Sequence, residues 1–161
     1  MTLSDLNSLP GQTVRQALLS CCGSETWASD MIERRPFMDD ASLHAQADEV
    51  WWQLRERDWL EAFSKHPKIG ERRENAKWPA AEQAGMVRAS ADAVESMHRR
   101  NIEYRDKFGW IFIVCATGKS AAEMLALIEQ RLHNEPTDEM RIATAEQAKI
   151  THLRLTKLLA E

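Results

Sequence analysis

Six glycines and five prolines are the only strong breakers in 161 residues. A chain so poor in turn residues, and otherwise rich in helix formers such as Ala, Leu and Glu, has few places to reverse a β-hairpin. It is expected to fold as an all-α protein. The breakers divide it into segments of helical length. A first helix is predicted from about Thr13 to Ser20, closing at Gly23, and a second from about Glu25 to Arg34, stopping before Pro36. A third begins near Asp40 or Ser42 and places Leu43, Ala47, Val50, Trp51 and Leu54 at helical spacing. Asp58 with Glu61 three residues on reads as a capping box opening a short fourth helix. That helix presents Leu60 and Phe63 and ends near His66, because Pro67 disfavours the α conformation in the residue before it.

Residues 68–78 are polar and read as a loop. Pro79 then suits the first turn of a long helix reaching about Lys107, with Val87, Ala91, Val94, Met97, His98 and Ile102 on one face and Phe108-Gly109 closing it. The continuous apolar run 110–116 fits either a short buried strand or a buried irregular segment. Ser120 with Glu123 opens another helix to Leu132 or His133, and Asn134-Glu-Pro136 breaks it. A last helix from about Asp138 to Leu159 carries two apolar stripes: Ile142, Ala143, Ile150 and Leu153, then Ala145, Ala148, Leu155 and Leu159. A helix apolar on two sides packs centrally or against a second subunit. With no repeat and no dividing linker, residues 1–161 are expected to form a single-domain bundle of about seven to eight helices.

Charge narrows the function. The net charge is −4, the pI is near 5.8, and basic residues are scattered in pairs such as Arg34-Arg35 and Arg99-Arg100. A nucleic-acid binder would usually carry a basic stripe, so none is expected as a partner. No stretch approaches the ~20 apolar residues of a membrane span, and the N-terminal segment has no long apolar run of a signal peptide. Three cysteines, Cys21, Cys22 and Cys115, make no disulfide framework, and no CxxC occurs. A reducing cytoplasm is the expected compartment. His44, His98, His133 and His152 show no HxxxH or HExxH spacing, so no metal site is expected.

A few residues remain that can carry chemistry. His66 is suited to proton transfer near neutral pH, its helix C-terminus favours the protonated ring, and Pro67 stiffens the backbone behind it. From these residues alone the plainer reading is a ring capping the last carbonyls of that helix. Gln83 starts the apolar face of the long helix, and a buried amide needs partners. Glu82 points ~100° away around the helix, in a first turn that favours a carboxylate. Read alone it is an ordinary dipole contact. Arg154 lies beside Ala143 and Ile150 at the edge of an apolar stripe, where a guanidinium either clamps a carboxylate or ureide or snorkels to water. If run 110–116 is irregular, its backbone N–H groups can serve a ligand.

Taken together the chain resembles the OHCU decarboxylase family over nearly its whole length. The resemblance rests on Trp27, Arg35-Pro-Phe37, His66-Pro-Lys-Ile-Gly-Glu71, Glu82-Gln-Ala-Gly-Met86 and Asn101-x-x-Tyr104-x-x-Lys107-Phe-Gly109. Downstream it includes Phe112-Ile-Val-Cys-Ala116, Gly118-Lys-Ser120, Arg131-Leu132 and Glu146-x-x-Lys149-Ile150-x-x-Leu153-Arg-Leu155. The His-Pro, Glu-Gln and Phe-Gly blocks in this order and spacing are the specific part. The resemblance implies an all-α homodimer that acts on 2-oxo-4-hydroxy-4-carboxy-5-ureidoimidazoline, a product of urate breakdown, without metal or organic cofactor. The products would be (S)-allantoin and CO2. It implies His66 as general acid and Glu82 as the partner that takes a hydroxyl proton and orients the ring. Pro67, Pro79, Gln83, Arg154 and the backbone of Ile111, Phe112, Ile113 and Val114 would form the substrate cradle. Two positions depart from the family pattern: Pro79 stands where many members carry serine, and Ile111 where relatives often have proline. The rival reading is a helical protein that binds ureides without catalysis.

Overall fold

The computed structural model describes residues 1–68, 85–86 and 90–161. Among these the regular elements are all α-helices and no strand occurs. Eight helices are described: α1 Leu3–Ser8, α2 Gly11–Cys21, α3 Glu25–Glu33, α4 Asp40–Gln53, α5 Glu56–Ser64, α6 Ala91–Phe108, α7 Ala121–Arg131 and α8 Pro136–Ala160. The all-α class and the helix number agree with the sequence reading. The described residues fall into two compact units, Met1–Lys65 with Ala148–Glu161, and His66–Gln147. Helix α8 contributes to both.

In the first unit α3 packs against α2, α4 and α5. Trp27 on α3 is fully buried, and its indole N–H donates to the Ala47 carbonyl at 3.1 Å. A buried Trp keeps its apolar area only if that N–H finds an acceptor. Asn7 and Phe37 bond reciprocally, Asn7 Nδ2 to the Phe37 carbonyl at 3.0 Å and Phe37 N–H to Asn7 Oδ1 at 2.8 Å. Helix α1, which the sequence reading did not anticipate, begins with a Thr2–Asp5 capping box. Its six residues bury only Leu6, too little to show as a period.

The start of α5 corrects an expectation. Asp58 is not its N-cap: the helix begins at Glu56, and the Asp58 carboxylate accepts from the Arg55 N–H at 3.2 Å. Glu61 instead accepts from the Glu25 N–H at 2.9 Å, and Thr26 donates to Asp58 at 3.0 Å. Glu61 therefore serves the positive end of α3, while Asp58 caps α5 from its N3 position and also accepts from the Thr26 hydroxyl. Spacing alone cannot separate a local cap from one made to a neighbour.

In the second unit α6 packs along α7 over a core that includes Met97, Tyr104, Phe108, Phe112, Met124 and Ile128. The long helix predicted from Pro79 to Lys107 is interrupted. Ser90 has extended ψ 161°, and its hydroxyl accepts from the Ala93 N–H at 3.2 Å, so α6 starts at Ala91. Pro79 lies outside the described residues. The buried face of α6 also differs from the one predicted. Met97, Asn101, Tyr104 and Phe108 face inward, while Ala91, Val94, His98 and Ile102 are exposed. Asn101 and Tyr104 are polar enough to hide this stripe in a count of apolar residues. The expected end holds: Gly109 adopts φ +90°, a conformation that costs glycine little, and its N–H returns to the Arg105 carbonyl at 2.8 Å. The Ser120–Glu123 capping box of α7 is present as expected.

Helix α8 buries Ala143, Ile150, Leu155 and Leu158, together with Thr144, Gln147 and Thr151. Ile142 and Leu153, assigned by the sequence reading to a packed stripe, are 37% and 39% exposed.

Candidate functional site

The segment 110–116 is irregular, neither helix nor strand. Its side chains Phe112, Ile113, Val114, Cys115 and Ala116 are buried, and Ile111 is half-buried. A buried backbone without regular structure must still satisfy its polar groups. Three charged side chains do part of this work. Arg131 Nη1 donates to the Ile113 carbonyl at 2.7 Å, Lys119 Nζ donates to the Cys115 carbonyl at 2.7 Å, and Glu146 Oε1 accepts from the Cys115 N–H at 3.1 Å. Among the described residues nothing accepts from the N–H groups of Ile111, Phe112, Ile113 or Val114. A row of buried donors without partners suits a ligand with carbonyl or carboxylate oxygens.

Arg131 is itself tightly held. It is buried and lies over the Phe112 ring, 4.4 Å from the centroid, and its Nε donates to Glu139 Oε1 at 2.7 Å. Tyr104 donates to the same oxygen at 2.5 Å, and Asn134 Nδ2 donates to the other at 3.0 Å. Burial and the bond to Glu139 drive the Tyr104 phenol well above its ordinary value, so it stays a donor. This network fixes the register of the loop against α7 and α8.

His66 follows the end of α5 and is half-buried, with Pro67 behind it. Its Nε2 meets Oε1 of Gln147, a fully buried residue of α8. Neighbouring residues of α8 therefore hold the two parts of the site in this unit: Glu146 the loop, Gln147 the imidazole. The ring reaches a side chain on another helix, which the plain capping reading of His66 did not foresee.

Arg154 lies in the first unit, half-buried, with Nη1 3.4 Å from the Cys21 carbonyl. Glu82, Gln83 and Pro79 lie outside the described residues. Gly85, two positions after Gln83, has its Cα so close to Lys119 that an added Cβ would stand 2.2 Å from the Lys119 carbonyl oxygen. Sequence reasoning missed Gln147, Glu146 and Arg131 as parts of the site. Gln147 did carry a signal: it falls four residues after Ala143 and three before Ile150, a polar residue on an apolar stripe. Among the described residues no group of three His, Cys, Asp or Glu is placed to hold a metal. No described helix is long and apolar enough to cross a membrane.

An all-helical chain with one imidazole fixed beside a helix, and an irregular loop offering backbone donors, defines a class: helical proteins with a small polar ligand site. Within that class the family model of OHCU decarboxylase matches residues 7–156, and the chain belongs to that family. It is 38% identical over 149 residues to the uric acid degradation bifunctional protein TTL of Arabidopsis thaliana, covering 88% of this chain and 46% of that protein. The chain spans a third to a half of the length of the bifunctional relatives it matches. It is 26% identical over 160 residues to 2-oxo-4-hydroxy-4-carboxy-5-ureidoimidazoline decarboxylase of Haloferax volcanii, covering 98% of this chain and 95% of that one. A crystal structure of OHCU decarboxylase in the presence of (S)-allantoin superposes with a TM-score of 0.80 at 38% identity, covering 89% of this chain and 96% of the other.

Proposed function

We propose that this chain decarboxylates 2-oxo-4-hydroxy-4-carboxy-5-ureidoimidazoline to (S)-allantoin and CO2 in urate catabolism. Membership of the family and likeness to a relative solved with (S)-allantoin support the substrate class. The observation that carries the chemistry is the anchoring of His66 and of the 110–116 loop by adjacent residues of α8.

The substrate explains why the residues can suffice. The carbon that loses CO2 bears a hydroxyl and adjoins a ring C=N bond. As the C–C bond breaks, its electron pair moves toward the imine, whose nitrogen gains a proton. The resulting enol loses its hydroxyl proton to become the product carbonyl, and the neighbouring ring carbon is protonated. Delivery of that proton to one face sets the (S) configuration. His66 acts as the general acid at that carbon, and Glu82 takes the hydroxyl proton and orients the ring. Unpaired N–H groups at Ile111 to Val114 suit the imidazoline and ureide oxygens, with Pro67, Pro79, Gln83 and Arg154 completing the cradle. The ring C=N supplies the electron sink, so the reading calls for no metal or organic cofactor.

Both units belong, in this reading, to one OHCU decarboxylase-like domain over residues 1–161, supported by the family match across 7–156. The same reading makes the enzyme a cytoplasmic homodimer. Ile142 and Leu153, both partly exposed on α8, support a dimer face: eleven residues apart, they project within ~20° of each other around the helix. Sedimentation of the wild type against Leu153→Glu tests it, a monomeric wild type refuting the dimer.

The deciding experiment generates the substrate from urate in situ and follows the product by circular dichroism. Wild-type protein is expected to accelerate CO2 release and give optically active allantoin, where spontaneous decay gives a racemate. His66→Ala and Glu82→Ala are expected to lower the rate by ~10²–10⁴-fold. Allantoin binding without any change in rate or optical outcome would instead mark a non-catalytic ureide-binding protein.

A further inference from the structure

We propose that Gln147 is the positioning residue for His66, fixing the ring's orientation and holding its imidazole as the Nε2–H tautomer. This rests on the decarboxylase reading only for its consequence in catalysis, since the tautomer is a property of the free protein.

The chemistry of the pair carries the inference. His66 Nε2 faces Gln147 Oε1, and a carboxamide oxygen has lone pairs but no hydrogen to give. The ring nitrogen facing it is therefore the one bearing hydrogen. In the neutral ring this leaves the lone pair on Nδ1. A histidine used for proton transfer is normally fixed in this way by whatever its other nitrogen touches.

The partner's type also matters. A carboxylate in this place would favour the imidazolium and push its pKa up. An amide orients the ring without adding a charge. Gln147 can impose a geometry because it is fully buried on α8. The preceding residue, Glu146, holds the Cys115 N–H. One turn of helix thus registers the proton donor against the loop of backbone donors.

The test starts with histidine-labelled wild-type protein at pH about 8, above the ordinary imidazole range. Long-range ¹⁵N–¹H spectra, with His66 assigned from its loss in His66→Ala, are expected to show Nε2 protonated and Nδ1 bare. Gln147→Leu is expected to release that preference and to lower kcat on the order of tenfold, with KM little changed. Gln147→Glu keeps an acceptor, so it is expected to retain the tautomer while the acidic limb of the pH–rate profile moves up by roughly one pH unit. A wild-type ring protonated on Nδ1 would overturn the proposal. So would a Gln147→Leu protein with unchanged tautomer, profile and kcat. Should Gln147→Leu fail to fold, the wild-type spectrum and the Gln147→Glu profile decide. A wild type that forms the stated tautomer but does not accelerate decarboxylation refutes the functional reading and leaves the role of Gln147 standing.

Discussion

Arg131 and Glu139 form an ion pair at 2.6 Å in which the carboxylate has no exposed surface and the guanidinium almost none. The pair holds up the site rather than entering it, because the other end of the guanidinium grips the Ile113 carbonyl. Removing one member leaves the other charge buried and uncompensated. Glu139→Ala is expected to cost about 3–5 kcal/mol, a fall in Tm of roughly 10 °C or more, measured by thermal melting. Double replacement, Arg131→Met with Glu139→Leu, is expected to recover part of that stability but not the loop's register. A Glu139→Ala protein melting with the wild type would show that the pair is not a support.

Gly85 offers a second test. A Cβ there would sit 2.2 Å from the Lys119 carbonyl oxygen and 3.3 Å from its carbon, so backbone, not a flexible side-chain tip, must move. Gly85→Ala is expected to destabilise by about 1–3 kcal/mol. Activity should fall further than stability explains, because Lys119 also holds the Cys115 carbonyl of the loop. Urea unfolding alongside the dichroism assay separates the two effects.

The stacked imidazoles of His44 and His152 give the protein a pH dependence. Their rings lie 4.7 Å apart and nearly parallel, with Nδ1 facing Nδ1 at 2.6 Å, so one ring donates and the other accepts. His152 Nε2 is held by Asp48 at 2.8 Å, and Thr156 lies 3.4 Å from His44 Nε2. Burial first, then the neighbouring His152, lowers the His44 pKa below its ordinary 6.5, against the opposing pull of Asp40 and Asp48. The unfolded chain then binds more protons than the folded one in the window below 6.5, so stability falls as pH drops through it. Urea midpoints compared at pH about 7.5 and about 5.5 are expected to show that loss, and His44→Gln to reduce it. Equal pH dependence in the two proteins would assign the effect elsewhere.

Cys22 is fully buried next to Cys21, and burial pushes its thiol up to about 12. Alkylation requires the thiolate, so native Cys22 is expected to resist iodoacetamide at pH about 8 and to react only after unfolding. Peptide mapping with and without urea reads this directly. Rapid labelling of the native protein would contradict the burial.

The class of fold and most helix ends were legible in the linear chain because they depend on short-range chemistry. Ser120 with Glu123 and Gly109 each act within one helical turn, and the structure keeps both signals. His66 was legible as a candidate because an imidazole titrates near neutral pH, although a helix cap was the plainer reading of those residues alone. What failed was every inference that needed to know a neighbour. Asp58 and Glu61 have the spacing of a local cap, yet Asp58 is the N3 residue of a cap that starts at Arg55, and Glu61 accepts from the Glu25 N–H of α3. Val94 and Ile102 look like core residues, yet Asn101 and Tyr104 are the ones that face inward.

The partner of His66 belongs to the same kind of knowledge. Gln147 lies 81 residues away, and no periodicity links the two positions. Amino-acid types set which groups are able to donate, accept or titrate, and backbone chemistry sets where helices begin and end. Which donor meets which acceptor was decided only when packing buried them together. There an unpaired polar group costs far more than it does in water, and the chain settles on the arrangement that pairs them.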